Sequence, residues 1–376
     1  IALAVIVLFF TILSKGRFLT AGNLSNLMNQ SAYVAVLAIG MTVILIIRHI
    51  DLSVGFVAGF TGAIAAILMS TYGWTTLPAV LVALAVGLII GLYQGFMVAY
   101  IGIPAFVITL AGMFIFRGAL NLVLQRTGTI VIPSKNAAFK ELSQGFVPDF
   151  IGGPDSAINV TALVIGLAII AIAIILKVSL YRKEKKMLPE EAQPKLWRML
   201  LSLVIIIVPV LFITIRLATF NGIPWSMVIA AIVLIIYNFI LEKTTYGRHI
   251  YGIGGNDEAA ELSGVNVRKV TLIAFASMSF LAALSGLLYT SRLSSATPTA
   301  GTGFEMDAIA SSYIGGVAVS GGVGKVTNTI VGTLVITSLT NGLNLAGVDI
   351  SWQYVIKGII FTAAVTFDIL TRKRGK

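Results

Sequence analysis

The sequence predicts an all-α polytopic membrane protein, a single domain over 1–376 with about twelve crossings. Three observations carry that expectation. Only 11% of the 376 residues are Asp, Glu, Lys or Arg, and 57% are hydrophobic; a soluble domain carries roughly 25% charged residues. Mean hydropathy is +0.98. Apolar stretches of about 20 residues, the length a helix needs to cross the hydrocarbon core, recur along the whole chain. So few charges cannot cover a water-facing surface, which excludes a soluble enzyme, a nucleic-acid-binding module and a disordered tail.

The spans follow in order at about 31–47, 54–70, 78–100, 104–124, 158–176, 199–215, 223–241, 270–290, 326–346 and 352–371. Residues 1–13 are apolar but short, and are expected to be a span whose beginning is missing from the sequence. Residues 307–319 start on an acid and hold two serines and two glycines; they form either a half-helix or a polar-faced crossing. Gly87, Gly91 and Gly95 recur every four residues in one span, and Gly55 and Gly59 in another. Small faces let backbones meet in lipid, where no hydrophobic force drives helices together. That packing lies either within one chain or across a seam between two copies.

Basic residues orient the set. With 177–198, 242–269, 320–325 and the tail from 371 inside, the inner segments hold sixteen Lys and Arg and the outer loops hold seven. The excess of basic residues places both termini in the cytoplasm. The net charge of +11 therefore reads as a topology signal rather than a nucleic-acid footprint. Segment 177–198 is expected to be a basic cytoplasmic loop, and 125–157, with Pro133, Pro148 and Pro154, an ordered cap outside. There is no Cys, which removes disulfides, thiolate zinc sites and thiol catalysis. The two histidines lie far apart in sequence, so no metal site is expected.

Polar residues inside spans mark either helix caps or a wet route. Arg48-His49-Ile50-Asp51-Leu52-Ser53 separates two apolar runs. Asp51 is placed to cap the next span and to pair with Arg48 or His49; it equally suits a cavity passing a polar solute, with Ser53 and Phe56 beside it. Later spans add Ser311, Ser312, Asn328, Thr329, Asn341, Asn344 and Gln353. Amides and hydroxyls exchange hydrogen bonds with an uncharged polyol without requiring a counter-ion, or serve as glue between helices.

The inner segment 242–269 has helix punctuation. Gly254 and Gly255 are expected to break the chain, Asn256 to cap, and Asp257 and Glu258 to occupy a first turn that favours acids. Ala259, Ala260, Glu261 and Leu262 continue, and Gly264 ends the helix. Two turns are marginal alone, so the helix suits insertion into a groove on a cytoplasmic partner.

These residues carry a resemblance. Glu258-Ala259-Ala260 with Gly264 is similar to the EAA-x3-G coupling motif of ABC importer permeases. The string YGRHIYGIGGNDEAAELSGVNV resembles the version in permeases of the ribose/xylose type. Further similar stretches, in order, are HIDLSVGFVAGF (49–60), IPAFVITLAGMFIFRGAL (103–120), SRLSSATPTAGTGFEMDAIASSYIGGVAVSGGVGK (291–325), NGLNL (341–345) and WQYVIKGII (352–360). The hairpin at 158–215 and VPDFIGG (147–153) look like the xylose and multiple-monosaccharide branch. The sequence departs from related permeases at Phe56, where small residues are common.

The resemblance implies a permease domain in the inner membrane of a bacterium, importing a pentose or hexose. It would work as a homodimer, with 256–264 as the coupling helix on a cytoplasmic ATPase and a periplasmic or lipid-anchored binding protein delivering sugar. Arg17, Arg126, Arg216 and Arg292 would meet that binding protein. ATP and Mg would belong to the partner, with no cofactor on this chain. The sequence agrees: Gly324-Lys325 lacks the glycine of a phosphate loop at Val319 and a Ser or Thr at Val326. No nucleophile–base pair suggests catalysis either. The competing reading is an ion-coupled secondary transporter using Asp51.

Overall fold

The computed structural model describes residues 2–125, 128–153, 156–187 and 193–374. It is helical nearly throughout. The helices are α1 (Ala2–Leu13), α2 (Ala21–Ile46), α3 (Val54–Ser70), α4 (Thr76–Phe96, extended by a wider turn through Ile101), α5 (Ala105–Leu124), α6 (Ala137–Gln144), α7 (Val160–Met187) and α8 (Leu196–Ala218). They continue as α9 (Trp225–Lys243), α10 (Thr245–Gly255), α11 (Asp257–Leu262), α12 (Val267–Leu293), α13 (Phe304–Ile314), α14 (Val326–Leu345) and α15 (Ile350–Arg374). Two-residue strands, β1 (Ile130–Val131) and β2 (Ser295–Ala296), pair antiparallel.

Seven helices among the described residues are long and apolar enough to cross a membrane: α2, α4 with its extension, α5, α7, α8, α9 and α12. The chain is a multi-pass membrane protein. α1 and α3 are apolar but shorter, at 12 and 17 residues. α14 and α15 have the length, at 20 and 25 residues, but more polar sequences. Segment 307–319 resolves as a half-helix: α13 has eleven residues, about 16 Å at 1.5 Å per residue. Beyond it Gly316, Gly321 and Gly322 take positive φ and prevent the helix from continuing.

The basic segment 177–198 is not a loop over most of its length. α7 runs as helix to Met187 and α8 starts at Leu196. Lys, Arg, Glu and Leu are good helix formers whatever their hydropathy, and Lys185 and Lys186 in the last turn suit its dipole.

The helices form two compact units. One comprises Ile1–Phe18, Leu27–Gly145 and Trp225–Lys376; the other comprises Leu19–Asn26 and Phe146–Pro224. In the larger unit, α12 is the central post, packed against α3 and α4. The α4 glycines lie on it: a Cβ on Gly87 would sit 2.5 Å from the Ala283 methyl, and one on Gly91 2.5 Å from the Phe275 carbonyl oxygen. This glycine stripe thus serves packing within one chain. α6 seats on the same post, with Ser143 Oγ donating to Leu288 O at 2.7 Å and Ser291 Oγ to Phe139 O at 2.7 Å.

The smaller unit is the α7–α8 hairpin with the loop that precedes it and Leu19–Asn26. Thr214 lies against Gly166, and Val147 N donates to Ile223 O at 2.9 Å. Asp149 organises the loop. Its carboxylate accepts from the backbone N–H groups of Ile151, Gly152, Val160 and Thr161 and from the Thr161 hydroxyl. Partial loss of water pulls the Asp149 carboxyl up, but the hydrogen bonds outweigh this and hold it well below the usual carboxylate range.

Candidate functional site

One end of the larger unit is built around α10 and α11. Thr244 Oγ1 accepts from Gly247 N at 3.3 Å and starts α10. That helix includes Gly254 and Gly255; the break falls one residue later, at Asn256 (φ −159°, ψ 111°). Gly254 is there for contact. A Cβ on it would overlap the Ile46 carbonyl oxygen and lie 2.6 Å from Gly322 N.

Asn256 caps α11, its side-chain oxygen accepting from Ala259 N at 2.9 Å. Asp257 and Glu258 fill the first turn. Gly264, at φ +86°, closes the helix: its N–H donates to Glu261 O at 2.9 Å and Val265 N to Ala260 O at 3.0 Å. That pair of bonds satisfies carbonyls left open at the helix end. Ala260 is buried on the chain's own side, whereas Leu262 is 91% exposed. An apolar side chain is thus held out beside the exposed Asp257, Glu258 and Glu261.

Arg48 links the start of this helix to neighbouring segments. Arg48 adopts φ +62°, a conformation that costs a non-glycine residue about 1–2 kcal/mol. Its guanidinium donates to Ser320 O at 2.9 Å and to Gly255 O, and lies 4.0 Å from Asp257 Oδ1. Gly322 N donates to Ile46 O at 2.9 Å, and the Tyr251 hydroxyl to Gly324 O at 2.8 Å. The end of α2, the end of α10, the start of α11 and the glycine turn after α13 therefore share one node.

Asp51 does not pair with Arg48. The residue immediately before α3 is Ser53, and Asp51 Oδ1 accepts from Ser53 N at 2.9 Å and Ser53 Oγ at 2.7 Å. Gln94 Nε2 of α4 donates to Ser53 Oγ at 2.9 Å. Asp51 and Ser53 are fully buried and Phe56 nearly so; the Arg117 guanidinium lies 5.6 Å from the Phe56 ring centre. Among the described residues, the break is held by the Asp51–Ser53–Gln94 bonds.

The later polar residues separate into two groups. Thr42 Oγ1 of α2 bonds Ser312 Oγ of α13 at 3.1 Å and Thr329 Oγ1 of α14 at 2.7 Å. Ser31 and Thr337 pair at 2.8 Å. These hydroxyls are interhelical glue. Asn341 is buried. Asn344 is exposed at the end of α14, where its side-chain oxygen accepts from Gln353 Nε2 of α15 at 2.8 Å.

Of the four arginines singled out, Arg17 sits in a short turn before α2 and is exposed, as is Arg216 at the end of α8, packed on the Phe212 ring at 5.2 Å. Arg292 is half-buried at the end of α12. Arg126 lies outside the described residues.

Residues 23–365 match the family described as branched-chain amino acid transport system / permease component. The chain belongs to that permease family. As a member it is a transport component rather than an enzyme. The permease is 36% identical to the xylose transport system permease protein of Haemophilus influenzae, over all of this chain and 96% of that protein. It is equally similar to the Escherichia coli K12 xylose permease, over 91% of its length. It is 32% identical to the E. coli K12 ribose import permease, over 98% of this chain and 92% of the relative. No solved structure matches the permease.

Other polar contacts in the permease escape a reading of the sequence. Lys357 Nζ donates to Asp307 Oδ1 at 2.9 Å and Oδ2 at 3.1 Å, joining α15 to α13. A lysine within a span signals that a partner exists, but the partner is fifty positions away. Glu305 is 8% exposed in the first turn of α13, and its Oε2 has no hydrogen-bond partner among the described residues. Those residues hold no cluster of His, Asp and Glu fit for a metal ion.

Proposed function

We propose that this chain is the membrane subunit of an ATP-driven monosaccharide importer of the bacterial inner membrane, carrying a xylose-like sugar. It works as a homodimer, each copy a single permease domain with both termini in the cytoplasm. A separate ATPase holds ATP and Mg, and a binding protein outside delivers the sugar. The observation that carries the reading is α11. Asn256, Asp257, Glu258, Ala259, Ala260, Leu262 and Gly264 make a helix capped at both ends, with an acidic and apolar face unoccupied, fastened through Arg48 to the turn after α13. Such a peg can receive motion from another polypeptide and pass it to helices that move. The similarity to the xylose and ribose permeases supports the sugar class.

Proteoliposomes test it. Uptake of xylose is expected to need ATP, the ATPase and the binding protein together. Uptake by the permease alone, driven by a proton gradient, would overturn the reading in favour of an ion-coupled transporter, and uptake of leucine in place of xylose would overturn the sugar class. Glu258→Lys places a cation at a helix N-terminus and on the docking face. It is expected to leave the permease inserted but to reduce sugar moved per ATP at least tenfold; normal coupling in that variant sinks the role of α11.

A further inference from the structure

Two helices begin inside the larger unit beside one another. α3 starts at Val54 and α13 at Phe304, and Gly55 meets the backbone of Gly301 directly. Gly301 and Gly303 take φ of +86° and +78°, which turns the chain sharply enough to deliver α13 to this point. Helix N-termini carry partial positive charge and unsatisfied N–H groups. Between them lies Glu305, whose Oε2 would be 2.5 Å from a Cβ on Gly55. Among the described residues that oxygen is buried without a donor, as is Asp51 Oδ2 ahead of the α3 N-terminus. An acceptor left unpaired in this way is costly, so a donor brought to it is favoured.

Phe304, the residue before the acid, belongs to an aromatic cluster. Tyr33 of α2, Tyr289 of α12 and Phe304 of α13 form a closed trio, with ring centres 5.3 Å (Tyr33–Tyr289), 5.3 Å (Tyr33–Phe304) and 4.9 Å (Tyr289–Phe304) apart. Tyr33 is buried, whereas Tyr289 and Phe304 are half-buried and keep part of their surface uncovered. Thr302 and Met306, flanking them, are exposed.

The chemistry selects among ligands. An anion is disfavoured by Glu305, and a small cation by the two helix N-termini and by Lys357, which pairs with Asp307 one turn-half along α13. An uncharged polyol fits both features at once: hydroxyl groups donate to the carboxylate, and the apolar C–H face of a sugar ring lies on aromatic surface. We propose that Glu305, Phe304 and Tyr289 form a contact station for an uncharged monosaccharide within the permease, where the re-entrant starts of α3 and α13 meet. This rests on the transport reading above and adds to it a defined place on the chain where the sugar is held.

The chain has no Cys, so a single Met306→Cys gives one reactive thiol beside the station, Met306 being 68% exposed. Maleimide labelling is followed in the permease assembled with its ATPase and binding protein, with and without millimolar xylose. Xylose is expected to slow labelling at least threefold, and the protection should vanish when Glu305→Gln or Phe304→Ala is added. Tyr72→Cys, exposed in the α3–α4 loop, serves as a control that xylose leaves unchanged. Glu305→Gln preserves shape, so retention of the wild-type melting midpoint separates lost contact from lost folding. Labelling indifferent to xylose, or protection that survives both substitutions, overturns the station. If ATP-driven xylose uptake is intact while protection is absent, the station alone fails. If protection is present while uptake runs without ATP, the transport reading fails and the station stands.

Discussion

Gly254 and Gly255 are neighbours in the last turn of α10, yet alanine at the two positions should act in opposite directions. At Gly255 an added Cβ meets nothing within 4 Å. Replacing a helical glycine with alanine there removes freedom from the unfolded chain and should stabilise by about 0.5–1 kcal/mol. At Gly254 the same methyl overlaps the Ile46 carbonyl oxygen and approaches Gly322 N at 2.6 Å and Gly322 Cα at 2.9 Å. All three are backbone atoms, so no side chain can rotate away, and α10 must retreat by about 1.5 Å to reach ordinary contact distance. Overpacking of that kind costs about 1–3 kcal/mol. The retreat also stretches the Gly322 N–H bond to Ile46 O, worth about 1 kcal/mol. Gly254→Ala should therefore lose about 2–4 kcal/mol while Gly255→Ala gains. The assay is the fraction of monodisperse permease left after heating in detergent: Gly254→Ala should melt several degrees below wild type and Gly255→Ala at or above it. Because the retreat opens the Arg48 node, Gly254→Ala should also move less sugar per ATP. Coincident melting curves for the two variants would refute the contact argument.

Three further outcomes are expected. Asn256→Ala removes the α11 cap at a cost of about 1 kcal/mol, seen as faster amide exchange over 257–262, and Asn256→Asp should restore protection. Either Lys357→Ala or Asp307→Ala leaves a half-buried charge without its partner, for a loss of about 3 kcal/mol at the lower end for buried pairs; the double variant Asp307→Asn with Lys357→Gln should melt above either single one. Asp149, held below its unfolded value, stabilises the loop around it at pH above the ordinary carboxylate range near 4, and that contribution fades as pH falls toward the folded value. Proteolytic cleavage within 146–160 should accordingly accelerate at low pH, and Asp149→Asn should be cut as fast at pH 7 as the native loop is in acid.

Hydropathy set the limits of what could be read in advance. The 54–70 span matches α3 at both ends because apolar residues begin and end abruptly there. The 31–47 span falls ten residues short of the start of α2, since Asn23, Asn26, Asn29 and Gln30 look like loop but are helical. Segment 177–187 errs the other way: charged residues end the apolar run without ending the helix. Local chemistry was legible around α11, where the Asn256 cap and the Gly264 closure both form as their residue types dictate. Contacts between distant segments were not. Asp51 and Arg48 are three residues apart and of opposite charge, a natural pair on paper, but Arg48 turns left-handed and its side chain leaves for Ser320 and Gly255.

That left-handed turn bears on how motion would travel under the importer reading. Arg48 closes one end of the break between α2 and α3, and Ser53, bonded to Asp51 and Gln94, closes the other. A displacement of α11 acts on Arg48 through Gly255 O and Asp257. The exposed Asp257 pair contributes little by itself, so the carbonyl contacts carry the load. Arg48 in turn holds Ser320 O, in the segment that follows α13. The shortest bonded route from the docking face therefore runs to the half-helix that presents Phe304 and Glu305, and bypasses the long spans. Arg48→Lys tests that route. Lysine keeps the charge near Asp257 but lacks the planar fork needed to reach two carbonyls at once. If the carbonyl contacts transmit force, Arg48→Lys should dock the ATPase normally and still lose most sugar transport per ATP. If it transports like wild type, charge alone suffices and the route is wrong.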